Sequence, residues 1–387
     1  MSTYEIKIPS AVYGGCGSIS KVRELVRSHG QEGVLLFTDR GVRGAGLCDG
    51  VLDMIREEGA ACAVIDDLTA EPAAADVQRV ADEARTAEGA GRRLILAVGG
   101  GSVMDAAKLC SVILGAGYNV KDLLDSPELA KKQRKTVMIP TTCGTGSEAT
   151  CNAIVAIPEE DTKKGIVSAQ MIPDYVILDG DMIARLPKAI VAATGVDALA
   201  HAVECYTSKK ATPFSDTYAL ASAALIMNNI QKAYSDPEDM EAKNAMLLGA
   251  FYGGAAITGS GTTAVHALSY PLGGKYHIAH GVSNAILFAH VMAFNKDGCA
   301  DRLAALCDAV EPELSQKTVE EKAQRMIDRI AEIVSGTNIP VSLQEFGITP
   351  GDLDFLVEAA GQQQRLLVNN CKELSAEDIR AIYEKVI

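Results

Sequence analysis

"LILAVGGGSVMDAAK", residues 94–108, has the pattern of a buried β-strand, a glycine turn and a helix in direct succession. The apolar run before Gly99 is continuous, as is typical of a parallel strand that is covered on both faces. Gly99, Gly100 and Gly101 let the backbone approach a ligand, and the helix that follows offers free N–H groups and a positive dipole end. The stretch therefore predicts either a plain tight turn or a seat for a phosphate or pyrophosphate, with Ser102 beside it.

Short apolar runs of the same kind lie on both sides of this stretch, and helix-like segments separate them. The runs are GVLLFTD (33–39), ACAVIDD (61–67), KTVMIPTT (135–142) and DYVILD (174–179). This alternation predicts an α/β N-terminal domain with a parallel sheet over residues 1–185. From residue 186 to 387, Ala, Leu and Met recur at helical spacing, which predicts an all-α C-terminal domain. We expect the functional site in the cleft between the two domains.

The composition excludes several classes of partner and environment. A net charge of −14 over 387 residues argues against nucleic acid and anionic membranes as partners, because both require basic patches. The sequence contains no run of 18 apolar residues, so it predicts no membrane span. The first ten residues lack the apolar core of a signal peptide. The ten cysteines form no C-x-x-C pair, which indicates reduced thiols and a cytoplasmic protein.

A second turn rich in hydroxyl groups follows the strand that ends near Pro140. The segment PTTCGTGSEAT (140–150) places Thr141, Thr142 and Ser147 next to flexible glycines, which favours contact with a ligand. Thr145 and Glu148 also fit a capping box at a helix start, and capping alone would explain those two residues.

Asp39 ends the strand-like run VLLFTD. A carboxylate in that place can accept hydrogen bonds from ribose hydroxyls and would repel a 2′-phosphate, which favours NAD over NADP. The alternative is that Asp39 caps the turn into RGVRGAG, and the sequence leaves both interpretations open.

Five of the six histidines lie within residues 201–290. In GVDALAHAVE (195–204), Asp197 and His201 are four residues apart, so on a helix they share one face and could offer an oxygen and a nitrogen to one ion. The segment TTAVHALSYPLGGKYHIAHGVSNA (262–285) supplies His266 and His280 as further ligands. Such nitrogen and oxygen donors suit Fe(II), Zn(II) or Mn(II). An isolated histidine or D-x-x-x-H pair would be weak evidence.

The segments GGGSVMDAAK, PTTCGTGSE, GVDALAHAVE and HALSYPLGGKYHIAHG together resemble the iron-containing (group III) alcohol dehydrogenase family, in the expected order and over essentially the whole chain. The resemblance implies a Rossmann-like N-terminal domain that binds NAD(H), a helical domain that binds metal and substrate, and a divalent metal, iron or else zinc. It also implies a homodimer. The implied metal ligands are Asp197, His201, His266 and His280. The implied cofactor contacts are Asp39, Gly99, Gly100, Gly101, Ser102, Thr141, Thr142, Ser147, Asn152 and Lys164. The neighbouring Lys163 is the alternative to Lys164 in the alignment.

The chain departs from its relatives at three places. Tyr270 stands where many relatives have a histidine four residues after the third ligand, and His277 stands where relatives often have another residue type. Asn370, Cys371 and Lys372 replace a common Asn-Pro-Arg. The first two changes fall near the expected substrate and leave the proton relay open between His277 and Tyr270, of which His277 is preferred because imidazole titrates in the useful range.

The expected reaction is metal-assisted hydride transfer between NAD(H) and a short-chain alcohol or aldehyde, with aldehyde reduction in the cell. One alternative substrate is an anionic aldehyde, carboxylated as in succinic semialdehyde or sulfonated, which Lys275 or Lys372 would meet. A further alternative is an enzyme like dehydroquinate synthase or glycerol-1-phosphate dehydrogenase. Such enzymes require clustered basic residues near the metal, whereas only Lys275 lies near the histidines.

Overall fold

The computed structural model describes residues 4, 5, 7–89, 91, 93–160 and 162–387. The chain divides into two compact units, one of residues 7–186 and one that contains residues 187–387. The division lies one residue from the predicted boundary between residues 185 and 186.

The described part of the first unit contains a six-stranded, wholly parallel sheet and a separate antiparallel hairpin. The strands are β1 (Ala11–Gly14), β2 (Val34–Phe37), β3 (Cys62–Ile65), β4 (Leu94–Gly99), β5 (Thr136–Pro140), β6 (Asn152–Ile157), β7 (Thr162–Val167) and β8 (Tyr175–Leu178). The sheet order is β1-β8-β5-β4-β2-β3, and β6 pairs with β7. The five predicted strands are present, while β1 and the β6–β7 hairpin were not predicted.

Both faces of the sheet are buried, which explains why its central strands are apolar throughout. The helices of this unit are α1 (Lys21–His29), α2 (Arg40–Gly44), α3 (Asp49–Glu57), α4 (Ala74–Glu88), α5 (Gly101–Ile113) and α6 (Val120–Asp125). Along β4, Leu94 and Leu96 belong to a core cluster that includes residues of α1 and α3, whereas Ile95 and Ala97 belong to one that includes residues of α4 and α5. The predicted doubly covered parallel sheet is therefore confirmed.

The topology brings the predicted cofactor turns to one edge of the sheet. Gly99 at the end of β4 pairs with Pro140 at the end of β5, so the two turns begin side by side. Strand β2 lies next to β4 on its other side. The helix α3 that comes after β2 packs in one core cluster and the helix α5 that follows β4 packs in the other, so the chain leaves these strands toward opposite faces of the sheet. Such a switch point is where open α/β sheets bind their ligands.

The second unit is helical in all of its described regular structure apart from short 3₁₀ turns. Its helices are α7 (Lys188–Thr207), α8 (Pro213–Ser235), α9 (Met240–Ser260), α10 (Ala264–Tyr276), α11 (His280–Val310), α12 (Val319–Gly336), α13 (Leu353–Gly361), α14 (Gln364–Leu367) and α15 (Ala376–Tyr383). Helix α7 is long and apolar enough to cross a membrane, but most of it is buried inside the protein, as expected of a core helix. Polar side chains on such a helix require partners, and those partners define the site.

Candidate functional site

Helix α7 carries two of the predicted metal ligands on one buried face. Asp197 and His201 are one helical turn apart, and their side chains are only 4% and 7% exposed. The Nε2 atom of His201 lies 3.8 Å from Oδ1 of Asp197. The spacing of four residues therefore directs both groups to the same point, as the sequence predicted.

Two further imidazoles reach the same carboxylate oxygen from other helices. His266, in the first turn of α10, and His280, the first residue of α11, each place Nε2 3.6 Å from Oδ1 of Asp197. The rings of His201 and His266 are stacked with centroids 4.7 Å apart. The structure thus brings together all four predicted ligands, although 83 residues separate the first from the last in sequence.

The arrangement of these donor atoms fits a divalent metal ion. Tetrahedral coordination with bonds of about 2.1 Å places ligand atoms about 3.4 Å apart, close to the 3.6–3.8 Å between Oδ1 of Asp197 and Nε2 of each of the three histidines. One carboxylate oxygen and three imidazole nitrogens form a donor set that suits iron or zinc. The side chain of His280 is 29% exposed, so the cluster is most open beside this residue.

Electrostatics in the cluster also favours a cation. Burial raises the pKa of Asp197, but the surrounding His201, His280 and His266 outweigh burial and hold the pKa far below its usual range. Burial lowers the pKa of His266, but Glu204 and Asp197 outweigh it and raise the pKa to about 9. The cluster therefore contains an ionised carboxylate and an imidazole that holds a proton strongly when no metal is bound.

Two residues that the sequence did not single out complete the polar cluster. Glu204, on α7 and fully buried, contacts Nδ1 of His266. Asn284, on α11, donates from Nδ2 to Oδ1 of Asp197 at 2.7 Å, and the same nitrogen lies 3.3 Å from Nε2 of both His266 and His280. Glu204 stands seven residues after Asp197 and Asn284 four after His280, so helical spacing from the ligands would have identified both.

The two candidate proton relays lie in different environments. Tyr270 is buried on α10, and its ring centroid is 6.0 Å from that of His280. His277 is exposed and directly follows the last residue of α10 in a left-handed conformation, with φ of 55°. Tyr270 is therefore shown next to a ligand, while the role predicted for His277 stays a prediction.

The first glycine turn has the predicted form of a strand followed directly by a helix. Strand β4 ends at Gly99, Gly100 precedes α5, and no side chain caps the N-terminus of α5. A Cβ on Gly101 would lie 2.7 Å from Cγ2 of Thr145, so the two turns approach too closely for any larger residue. The uncapped N–H groups of α5 can receive a phosphate.

The second turn lies against the first and carries an unsatisfied hydroxyl. Thr141 donates its N–H to the carbonyl of Gly99 at 3.0 Å. The buried Oγ1 of Thr142 finds no hydrogen-bond partner among the described residues, and it lies 3.6 Å from the place where a Cβ of Gly100 would stand. A buried hydroxyl without a partner beside a glycine turn fits a contact with a bound cofactor.

Ser147 and Asn152 take part in a buried network that shapes the second turn. Ser147 Oγ donates to Asp105 at 2.5 Å, and the buried Lys108 donates to the carbonyl of Ser147 at 3.0 Å. Lys108 also donates to Thr150 and to the carbonyl of Asn152. These contacts give Ser147 and Asn152 structural partners, and their predicted contact with the cofactor stays a prediction.

The capping-box interpretation of the segment is wrong, because residues 146–149 form turns and no helix begins there.

Asp39 performs the capping role that the sequence left open. Its Oδ1 accepts the N–H of Val42 at 2.8 Å and so caps α2. Capping does not conflict with ribose binding, because a carboxylate has several acceptor sites. Asp39 also follows β2, the neighbour of β4 at the switch point.

The lysine beside the first glycine turn is Lys163. Its ammonium lies 2.6 Å from the carboxylate of Glu71, whose backbone N–H donates to Ser102 Oγ at 3.0 Å. Lys164, the predicted residue, is exposed on β7. Lys163 is thus linked to Ser102 through Glu71, and the choice between Lys164 and its alternative Lys163 as the cofactor contact stays a prediction.

Comparisons with known proteins agree over both units. A family model described as "Iron-containing alcohol dehydrogenase" matches residues 9–180, and one described as "Fe-containing alcohol dehydrogenase family, C-terminal" matches residues 191–387. The long-chain-alcohol dehydrogenase 1 of Geobacillus thermodenitrificans is 36% identical over 99% of this chain and 97% of its own length. The 4-hydroxybutyrate dehydrogenase of Clostridium kluyveri is 33% identical over 76% of this chain and 78% of its own length. The crystal structure of a 1,3-propanediol oxidoreductase superimposes with a TM-score of 0.94 at 28% identity and full coverage of both chains.

Proposed function

Because the chain belongs to the iron-containing alcohol dehydrogenase family, we propose that it transfers a hydride between NAD(H) and a short-chain alcohol or aldehyde with the aid of a divalent metal ion. As a member of the family it is an oxidoreductase, and aldehyde reduction is the proposed direction in the cell. One observation carries the proposal: the Nε2 atoms of three imidazoles each lie 3.6–3.8 Å from the same carboxylate oxygen, Oδ1 of Asp197, in the helical unit.

Asp197, His201, His266 and His280 would hold the metal ion, with iron preferred and zinc as the alternative. When bound, the ion supplies Lewis acidity to the substrate oxygen, and the nicotinamide accepts or gives the hydride. The opening of the cluster beside His280 gives the substrate its route of approach.

The chain's own residues bind and orient the reactants. The N–H groups at the start of α5 and the hydroxyl of Thr142 would hold the phosphate groups of NAD(H). Asp39 would accept hydrogen bonds from the ribose and repel a 2′-phosphate. The proton that balances hydride transfer would pass through His277, our preferred relay, or through the phenol of Tyr270 beside His280.

A carboxylated or sulfonated aldehyde is the second candidate substrate, and Arg365 favours it. Burial raises the pKa of Tyr270, and the guanidinium of Arg365 lies close enough to oppose that rise. A cation is thus placed near the tyrosine that adjoins His280. The two lysines considered first have other partners, since Lys275 lies 3.8 Å from the ring centroid of Phe355 and Lys372 pairs with an aspartate. The relative that acts on 4-hydroxybutyrate agrees with this candidate.

Metal content and turnover test the proposal together. We expect Asp197→Ala and His280→Ala to lose bound metal and NADH-dependent aldehyde reduction together, because each removes a donor from a four-donor site. His290→Ala, on the same helix as His280 but outside the cluster, is the matched control and should retain both. Elemental analysis showing a full complement of metal in Asp197→Ala would reject the assignment. A panel of neutral and anionic aldehydes with NADH and NADPH then separates the two substrate classes.

We further propose that the enzyme works in the cytoplasm as a homodimer, without nucleic acid or membrane partners. The ten cysteines are scattered along the chain and form no C-x-x-C pair, which suits a reducing compartment. Size-exclusion chromatography with light scattering tests the oligomeric state.

A further inference from the structure

We propose that Glu204 is a positioning residue that decides which nitrogen of His266 carries a proton, so that Nε2 is left to bind the metal. The inference rests on the proposed metal site, and it concerns a residue outside the four ligands. Glu204 lies on α7, two turns after Asp197, and is fully buried.

The two carboxylate oxygens of Glu204 have separate tasks. Oε1 accepts three hydrogen bonds: from Thr263 N at 3.1 Å, from Thr263 Oγ1 at 2.7 Å and from Val265 N at 2.7 Å. These donors surround the start of α10, whose first N–H groups have no partner within the helix. Oε2 is left to contact Nδ1 of His266.

This division of tasks fixes the direction of the last hydrogen bond. The three donors on Oε1 hold the carboxylate in one orientation, and a carboxylate oxygen accepts hydrogen bonds. Nδ1 of His266 must therefore donate, so the neutral imidazole has its lone pair on Nε2. That atom faces Asp197 at 3.6 Å, within the cluster. Carboxylates that orient ligating histidines in this way commonly raise metal affinity about tenfold to a hundredfold.

The substitution Glu204→Gln tests the proposal because it preserves shape and reverses one hydrogen bond. The amide oxygen would keep the three donors of Thr263 and Val265, so the NH₂ group would replace Oε2 and donate to Nδ1. His266 would then carry its proton on Nε2, where it blocks the metal. We expect the dissociation constant for Zn²⁺, measured on metal-stripped protein with a competing chelator, to rise about tenfold to a hundredfold.

Thr263→Val is the matched control, because it removes one hydrogen bond to Oε1 and leaves the carboxylate opposite Nδ1. We expect this variant to bind Zn²⁺ within about threefold of the wild type, although its metal-free melting temperature falls. A residue that only secured the start of α10 would give the opposite ranking, since Glu204→Gln keeps those bonds. Zn²⁺ affinity within threefold of wild type in Glu204→Gln, or an equal loss in Thr263→Val, overturns the proposal.

A measurement on the wild type removes any dependence on variant folding. In zinc-loaded protein with ¹⁵N-labelled histidine, we expect His266 to show a protonated, strongly deshielded Nδ1–H. An unprotonated Nδ1 at this residue would overturn the proposal by itself. The control Asp197→Ala distinguishes failure of the metal site from failure of the role of Glu204. If Asp197→Ala retains Zn²⁺, the metal site is rejected. If Asp197→Ala loses Zn²⁺ while Glu204→Gln binds it normally, only the role of Glu204 is rejected.

Discussion

Gly281 sets the separation of α7 and α11, the helices that carry the proposed metal ligands Asp197 and His280. It follows His280 at the start of α11 and packs directly on the backbone of α7 at Ala193, four residues before Asp197. A Cβ added at Gly281 would stand 2.1 Å from the carbonyl oxygen of Ala193, whereas ordinary contact begins at 3.4 Å. The substitution Gly281→Ala must therefore separate these backbones by about 1.3 Å, the difference between the two values.

The displacement changes the ligand geometry whichever helix moves. Movement of α11 carries His280 away from Asp197, and movement of α7 carries Asp197 away from His280, now 3.6 Å apart between their donor atoms. Metal–ligand bonds tolerate deviations of about 0.2 Å, so a shift of 1.3 Å disrupts at least one bond. We expect Gly281→Ala to weaken Zn²⁺ binding about tenfold to a hundredfold and to lower the free energy of unfolding of the metal-free protein by about 1–3 kcal/mol.

Competition titration of metal-stripped protein, paired with thermal melting, measures both effects. Gly298→Ala is the matched control on the same helix, because its added Cβ would lie 3.3 Å from Cβ of Lys372 and 3.6 Å from the carbonyl oxygen of Cys371, which requires little movement. The control should bind Zn²⁺ like the wild type. Wild-type affinity in Gly281→Ala would refute the reasoning, since it would mean that the two helices do not fix the separation of the ligands.

Three further predictions concern the cofactor turns and the proton relay. Asp39→Gly should raise kcat/KM for NADPH relative to NADH about tenfold or more, because the carboxylate that repels a 2′-phosphate is removed. The lost cap on the N–H of Val42 should lower the free energy of unfolding by only a few tenths of a kcal/mol. An unchanged ratio of kcat/KM for the two cofactors contradicts the ribose role. Burial raises the pKa of Glu148 from 4.5 to about 7 in the folded protein. The folded state therefore keeps this proton after the unfolded state has released it, and the free energy of unfolding of the wild type should fall by up to about 3 kcal/mol as the pH rises from 4.5 to 7. Urea unfolding of Glu148→Gln at pH 5 and pH 8 should lack that loss, and an identical pH dependence in the two proteins would count against the burial argument. His277→Ala should alter the pH–rate profile of aldehyde reduction; if it does not while Tyr270→Phe does, the relay is Tyr270.

The parts of the fold that the sequence predicts are those that depend on local pattern. Continuous apolar runs identified β2, β4 and β5, because strands buried on both faces of a parallel sheet have no polar alternation. Strand β1 has only four residues, alternates between intermediate and exposed, and lies at the sheet edge beside β8, so its pattern carries little signal. The β6–β7 hairpin contains adjacent lysines, which do not suggest a strand.

The same division applies to the site. Asp197 and His201 could be paired from their spacing alone, because one helix turn joins them. The partners of Glu204 lie 59 to 62 residues further along the chain, and the bond from Asn284 to Asp197 spans 87 residues. Helical spacing from the ligands can mark Glu204 and Asn284 as candidates, but no local pattern identifies partners that lie so far along the chain. The capping pattern of Thr145 and Glu148 is local, but no helix forms there. The buried network beneath the turn, which is also long-range, determines the conformation of this segment instead.

The balance of charge in the helical unit ties the ligand set to its surroundings. Asp197 and Glu204 place two carboxylates in a buried cluster, and the groups that lower the pKa of Asp197 are the imidazoles of His201, His280 and His266. An isolated buried charge is costly, so the cluster must gain positive charge either as protons or as a cation. The raised pKa of His266 agrees with the first possibility, and the three imidazole nitrogens 3.6–3.8 Å from Oδ1 of Asp197 agree with the second. A divalent cation held by these donors would offset the charge of both carboxylates together, and the contacts of Glu204 with Thr263, Val265 and His266 would keep a proton on Nδ1.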